Sequence, residues 1–341
     1  MTIITIGIDL AKHIFAVHGV NESGHAELVK PKIYRDQLLP LIANLPPCTI
    51  GMEACSGAHH WARLFRAHGH TIKLMAPKFV TPYRMSGKRG KNDAQDAAAI
   101  CEAVTRAHMR FVPIKEVHQQ IILCLHRTRQ GFVEERTATY NRLRGLISEF
   151  GIVLPQKVTC LRQSIGKHLD DLPGYSKQCI NDLLSHADQL DARITDYDKA
   201  IAKAAREDAR SKRLMERPGI GPITASALLA SIGNGHDFKN GRQVAAWIGL
   251  TPGQHSSGGK ARLGHITKAG DSYLRSLLVM GARAVLNSIG EKQDYFSCWA
   301  RDLVARRGYW RAVVAIAAKN ARVCWAVLKY GEEFRLNKSE A

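Results

Sequence analysis

The chain has 341 residues, 45% of them hydrophobic and 23% charged, an ordinary globular composition and a length that suits two or three domains, each with its own core. The charge balance is not ordinary: Lys plus Arg 49 against Asp plus Glu 30 gives a formal net charge of +19, which points to a polyanionic partner, nucleic acid before membrane. No run of about 18 apolar residues offers a membrane span, "MTIITIGID" lacks the basic start and cleavage site of a secretion signal, and eight cysteines without a C-x-x-C pair suggest neither a zinc knuckle nor a disulfide framework. The expectation is a cytoplasmic protein with buried, reduced thiols and no membrane partner.

Residues 3 to 9, "IITIGID", run apolar like a buried strand that ends at an acid. "FAVHGV" follows at hairpin distance and "ELVK" after the turn "NESG", which predicts three consecutive antiparallel strands. "DQLLPLIANLP" then reads as a short helix, "CTIGMEA" as a buried strand ending at Glu53, "GAHHWARLFRAHG" as a helix with a glycine C-cap, and "TIKLMAP" as a further strand. This order is an α/β pattern built on a mixed sheet. His59, His60, His68 and His70 have no Cys or carboxylate at ligand spacing and read as a wet helix face.

From about residue 114 the strand signal disappears. Residues 116 to 150 and 176 to 213 read as long helices, separated by a loop-prone stretch with room for a short helix. The second carries a heptad, with Ile180, Ala187, Ile194 and Ile201 at one core position and Leu183, Leu190, Tyr197 and Ala204 at the other. Such a repeat fits a coiled coil between subunits or a helical hairpin within the chain. Beyond "ERPGIGPITASALLASIG" the sequence reads as a compact helical domain with basic polar faces and a frayed tail. The domain boundaries expected on this reading are 1–113, 114–213 and 214–335.

Asp93 and Asp96, three apart in "KNDAQDAAAI", share one face of a helix turn. Asp9 and Glu53 each end a predicted strand, where α/β sheets commonly build sites. Four acids from three elements can converge there, and oxygen-only ligands suit Mg²⁺ or Mn²⁺. Two such ions about 3.5–4 Å apart clamp the attacking and leaving oxygens of a phosphodiester. The competing account makes Asp93 a helix-start acid favoured by the dipole and leaves Asp96 solvated. An unpaired acid in the apolar strand of Asp9 is costly, which favours metal.

"RPGIGPITA" (Arg217 to Ala225) resembles a helix-hairpin-helix turn, in which Gly219 and Gly221 would let backbone amides approach phosphate. A tight turn with only a packing role is the other reading. "TPGQHSSGGKARLGHITKAGDSYLR" surrounds a Ser-Ser-Gly-Gly turn with Lys260, Arg262, His265, Lys268 and Arg275. A serine needs its hydroxyl activated and its target phosphate held by cations before it is a useful nucleophile. By itself the segment reads as well as a flexible basic loop.

Together, "GIDLAK", "GMEACSG", "KNDAQDA", "RPGIGPITA" and "GLTPGQHSSGGKARLGHITKAGDSYLR" resemble, in that order and over nearly the whole chain, the DEDD transposases of the insertion sequence 110 family, which includes Piv-type DNA invertases. The resemblance implies an N-terminal RuvC-like (ribonuclease H-like) domain carrying Asp9, Glu53, Asp93 and Asp96, a helical coiled-coil connector, and a C-terminal helical transposase domain with the helix-hairpin-helix element. It places the nucleophilic serine at Ser257, beside Ser256. It further implies a homo-oligomer, dimer or tetramer, in which one subunit's acids complete a site with another's serine, and a structured non-coding bridge RNA that pairs with donor and target DNA. The function implied is excision and insertion of an insertion sequence through a covalent phosphoserine intermediate. A metal-dependent junction nuclease without serine catalysis, and a non-catalytic nucleic-acid-binding scaffold, are the rival readings of the same residues.

Overall fold

A computed structural model of the chain describes residues 2–84, 93–256, 258, 260 and 262–331. The chain divides into two units, one ending at Glu116 and the other beginning at Val117. The first contains, in order, β1 (Thr5–Asp9), β2 (Ile14–Val20), β3 (Ala26–Tyr34), α1 (Arg35–Ala43), β4 (Thr49–Glu53), α2 (Ala58–Ala67), β5 (Thr71–Met75), the one-turn α3 (Pro77–Val80), α4 (Asp93–Val104) and β6 (Phe111–Val112). Their strands form one mixed sheet in the order β3-β2-β1-β4-β5-β6. β1, β4 and β5 are parallel, while the β1–β2, β2–β3 and β5–β6 pairs are antiparallel. At this edge of the sheet β5 is apolar and legible in the sequence, whereas β6, two residues long, is not.

Side chains alternate across a strand, so Ile6 and Ile8 of β1 and Ile50 and Met52 of β4 share one face. There they are buried with Leu38 and Ile42 of α1 and Trp61 and Phe65 of α2. Gly69, at φ +88°, closes α2, and the amide of His70 behind it donates to the carbonyl of Phe65 at 3.3 Å. His60 and His68 are exposed, but His70 is not: it is buried, with Nε2 3.0 Å from the carbonyl of Ile42 and Nδ1 3.3 Å from the amide of Cys48. The wet-face expectation fails for His70 because the residue lies past the helix C-cap, where the chain turns inward to start β5. All eight cysteines are free, yet only Cys48, Cys101 and Cys324 are buried.

The second unit contains α5 (Val117–Ser148), α6 (Val158–His168), α7 (Tyr175–Glu207), α8 (Ala209–Met215), α9 (Pro222–Ile232), α10 (Gly241–Ile248), β7 (Pro252–Gln254), β8 (Leu263–Ile266), α11 (Ser272–Ser288), α12 (Tyr295–Arg307) and α13 (Tyr309–Tyr330). α5 and α7 are antiparallel, as their ion pairs show: Arg129 meets Asp198, Glu135 meets His186 at 3.0 Å and Arg136 meets Asp191 at 2.6 Å. The heptad residues Ile180, Ala187, Leu190, Ile194 and Ile201 are buried. Ile180 and Ala187 join Tyr140, Leu143 and Ile147 of α5 and Leu161 and Ile165 of α6 in one cluster. The seam that the heptad marks is therefore packed within this chain. The helix expected to run to residue 213 breaks at Asp208, whose extended backbone and side chain cap α8 by accepting from the amides of Arg210 and Ser211.

α9 is buried on every side from Thr224 to Ile232 and forms the centre of a second helical core with α10, α11, α12 and α13. A buried network ties it outward. His126 of α5 has Nδ1 2.9 Å from the Tyr273 hydroxyl of α11 and Nε2 3.0 Å from Ser226 Oγ of α9. The β7–β8 ribbon is a correction to the expectation that strands end before residue 114: its strands are only three and four residues long, each contains glycine, and most of their residues are exposed, so no hydrophobic alternation announces it.

Candidate functional site

In β1 the residues facing away from the Ile6–Ile8 core are Thr5, Gly7 and Asp9, and in β4 they are Thr49, Gly51 and Glu53. The parallel register sets Gly7 opposite Gly51 and Ile8 opposite Met52, so Asp9 and Glu53 end adjacent strands. α4 covers this face at very close range. A Cβ on Gly7 would lie 2.2 Å from the carbonyl oxygen of Ala97 and 2.4 Å from the amide of Cys101, and a Cβ on Gly51 would lie 2.8 Å from Val104 Cβ. Only the paired glycines admit the helix. Ala97, Cys101 and Val104 form one stripe of α4, and Asp93 and Asp96 extend that stripe by a turn, towards the sheet end that carries the strand acids.

Asp9, Asp93 and Asp96 each offer a carboxylate oxygen, all within 4.8 Å of one another. Asp96 is buried and Asp93 exposed. Both lie in the first turn of α4, where the helix dipole favours negative charge. Such an oxygen-only donor set of three carboxylates fits a hard divalent cation and would be poorly matched to a soft metal. Glu53 lies at the same sheet end but has a different partner: Arg84 Nη2 donates to its Oε1 at 2.9 Å, and Nε of the same guanidinium is 3.0 Å from Asp96 Oδ1. The thiol of Cys55, although exposed, reports the field of these acids: partial loss of solvent around its sulfur first, then the charges of Glu53 and Asp9, push its pKa up.

Two features of this site go beyond the four acids. The glycines were readable, because "TIGID" and "TIGME" repeat one pattern in the two strands. Arg84 was not, because it precedes α4 and nothing in its neighbours marks it as a partner of two acids distant in sequence.

In the second unit the "RPGIGPITA" turn joins α8 to α9. Gly219, at φ +84°, stacks backbone to backbone on Gly281 of α11: a Cβ on either would lie 2.7 Å or 1.9 Å from the other's carbonyl oxygen. Arg217 is buried, with Nε donating to Asn320 Oδ1 at 2.8 Å and its guanidinium 4.0 Å from the Phe296 ring centroid, and burial brings its pKa down to about 10. Gly221 differs, being exposed at the start of α9, which has no side-chain capping bond and Pro222 in its first turn.

The ribbon segment carries the remaining basic residues. Lys260, Arg262 and Lys268 are exposed. Lys268 has φ +52°, a conformation unusual for lysine, and its amide donates to the carbonyl of Gly249 at 3.1 Å. Arg275 is half-buried, and its Nη1 donates to the carbonyl of Ile248 at the end of α10, 2.8 Å away. Ser256 is exposed, with its Oγ accepting from Gln254 Nε2 at 2.9 Å and from the amide of Arg262 at 3.2 Å. Ser257 lies outside the described residues. No described helix is long and apolar enough to cross a membrane.

Similarity to known proteins runs through both units. The family described as Transposase IS116/IS110/IS902 matches residues 211–297, and the DEDD transposase family of IS110 matches residues 6–152. A probable family 20 transposase of Pseudomonas aeruginosa is 44% identical over 333 residues, covering 96% of this chain and 97% of the relative. The transposase for insertion sequence element IS1111A of Coxiella burnetii is 38% identical over 334 residues (97% and 91%), and that for IS1328 of Yersinia enterocolitica 36% over 330 residues (96% and 98%). Identity of this degree along nearly the whole length of each sequence means that the chain belongs to the IS110/IS116 family of transposases.

Proposed function

We propose that this transposase cuts and rejoins DNA strands at the ends of an insertion sequence, with Asp9, Glu53, Asp93 and Asp96 as the acid set and Ser257 as the nucleophile. The observation that carries the reading is the approach of acids from β1 and α4 to within 4.8 Å in a protein of formal net charge +19. Asp9, Asp93 and Asp96, with Glu53 beside them, would hold Mg²⁺ or Mn²⁺, which supplies Lewis-acid charge at a scissile phosphate. The mixed sheet with α4 across its parallel strands is the RuvC-like domain of this reading, and α5 to α7 form the helical connector.

The serine hydroxyl attacks phosphorus and loses its proton, the bond from phosphorus to one sugar oxygen breaks, and that oxygen leaves as a hydroxyl. The serine phosphodiester so formed conserves the bond for rejoining to a second strand. Lys260, Arg262 and Lys268 on the exposed ribbon grip the backbone near the reacting phosphate, and Arg275 supports the ribbon through the end of α10. The Gly219–Gly221 turn is the helix-hairpin-helix element, in which Gly219 sets the packing and Gly221 with the start of α9 meets phosphate without reading sequence. The protein works in the cytoplasm as a homo-oligomer, with a bridge RNA as a further partner of its basic surface.

A denaturing gel tests this. Wild-type protein with element-end DNA and Mg²⁺ should yield a protein–DNA adduct, and Ser257→Ala should abolish it while leaving DNA affinity within about twofold, because one neutral hydroxyl contributes little to phosphate binding. Adduct in the variant would move the role to Ser256, and hydrolysed ends without adduct in the wild type would favour the nuclease.

A further inference from the structure

A guanidinium inserted among acids that would hold a cation calls for a reason. Arg84 bridges Glu53 and Asp96 at 2.9 and 3.0 Å, although Glu53 ends the strand beside Asp9. Among the described residues, the group whose oxygens lie within 4.8 Å of one another takes in Asp9, Asp93 and Asp96 but not Glu53. Glu53 is mostly shielded, its side chain 13% exposed, whereas Arg84 is 36% exposed and open to the surface. The planar fork of an arginine matches a phosphate as well as it matches a carboxylate, so an arriving backbone phosphate can take over the guanidinium.

We propose that Arg84 is a positioning residue that holds Glu53 out of the three-acid group until a nucleic-acid phosphate captures the guanidinium, so that the fourth acid joins only when substrate is present. The proposal rests on the acid set being a metal site. It makes cation affinity and nucleic-acid binding reciprocal, each strengthening the other.

Binding of Mn²⁺ alone to the full chain, measured by titration calorimetry or by the loss of free-ion electron paramagnetic resonance signal, gives a readout that needs no turnover. In the absence of nucleic acid, Glu53→Gln should change the wild-type affinity by less than about twofold, while Arg84→Gln should raise it by about tenfold, within the usual range of coupled sites. Loss of a positive charge would by itself attract a cation, so the deciding quantity is the double variant: Glu53→Gln should remove most of the gain made by Arg84→Gln. Arg84→Lys, which keeps the charge and the electrostatic balance of the fold, should gain affinity too, though less. Duplex DNA should tighten Mn²⁺ binding in the wild type and not in Arg84→Gln. Weaker Mn²⁺ binding by Arg84→Gln, or an equal effect of Glu53→Gln in both backgrounds, would overturn the proposal. Asp9→Asn separates the two levels: wild-type Mn²⁺ affinity in that variant would remove the metal site itself, whatever Arg84 does.

Discussion

Gly7 and Gly51 illustrate how single residues set the geometry of the acid cluster. Neither bears a functional group, yet the distance between α4 and the sheet, and with it the meeting of Asp9 with Asp93 and Asp96, depends on their lacking a Cβ. Gly7→Ala places a methyl 2.2 Å from the Ala97 carbonyl oxygen, which is backbone and cannot rotate away. The helix must lift or tilt. Overpacking of this kind costs about 1–3 kcal/mol, so the variant should unfold at a lower temperature in scanning calorimetry and bind Mn²⁺ more weakly than its stability loss alone explains. Gly57→Ala, also in the first unit but with open space around it and φ +84°, controls for general backbone strain and should leave Mn²⁺ affinity unchanged. Equal Mn²⁺ binding by Gly7→Ala and wild type would contradict the role given to the glycine pair.

At the scale of elements, the second unit is held by a buried polar connection as well as by apolar surface. His126 links α5 to Ser226 of α9 and Tyr273 of α11, and burial, then the charge of Arg129, lowers its pKa to about 4. The folded value lies below the 6.5 of a free histidine, so the unfolded chain takes up a proton first as pH falls. Stability is therefore independent of this group above about pH 7 and declines between about pH 6.5 and 4, by on the order of 3 kcal/mol over that window. Denaturant titrations of wild type and His126→Gln, compared at pH 7.5 and 4.5, measure it: the variant should be less stable at pH 7.5, and its further loss on acidification should be smaller. Parallel losses in both proteins would show that another group controls the acid limb.

These same elements show what a sequence reveals. The long helices α5 and α7, the buried strands β1, β4 and β5 and the acids at strand ends were legible because periodicity and burial leave a pattern in the order of residues. The heptad was legible too, but not its partner, since a seam of Ile and Leu looks alike whether it packs on α5 or on another subunit. The β7–β8 ribbon was hidden because its strands are short, glycine-containing and paired with a bulge. Arg84 was hidden for a different reason: the two carboxylates it bridges come from β4 and α4, and only the folded sheet brings them to one place.

For the molecule as a whole, the excess of positive charge and the small island of acids are complementary parts of one design. Charge on the surface draws a polyanion, and a cluster of carboxylates that would otherwise repel it becomes an asset once neutralised by a divalent ion. Family membership places the chain among the transposases, and on the proposed function the sheet end would be where its chemistry takes place. The most direct measurement is an anomalous difference map from crystals of the full chain grown with Mn²⁺ and element-end DNA. The account predicts a peak with oxygens of Asp9, Asp93 and Asp96 within about 2.0–2.3 Å, the range of hard six-coordinate cations, and with Glu53 turned towards it. Those four side chains without any peak between them, or manganese bound elsewhere, would contradict it.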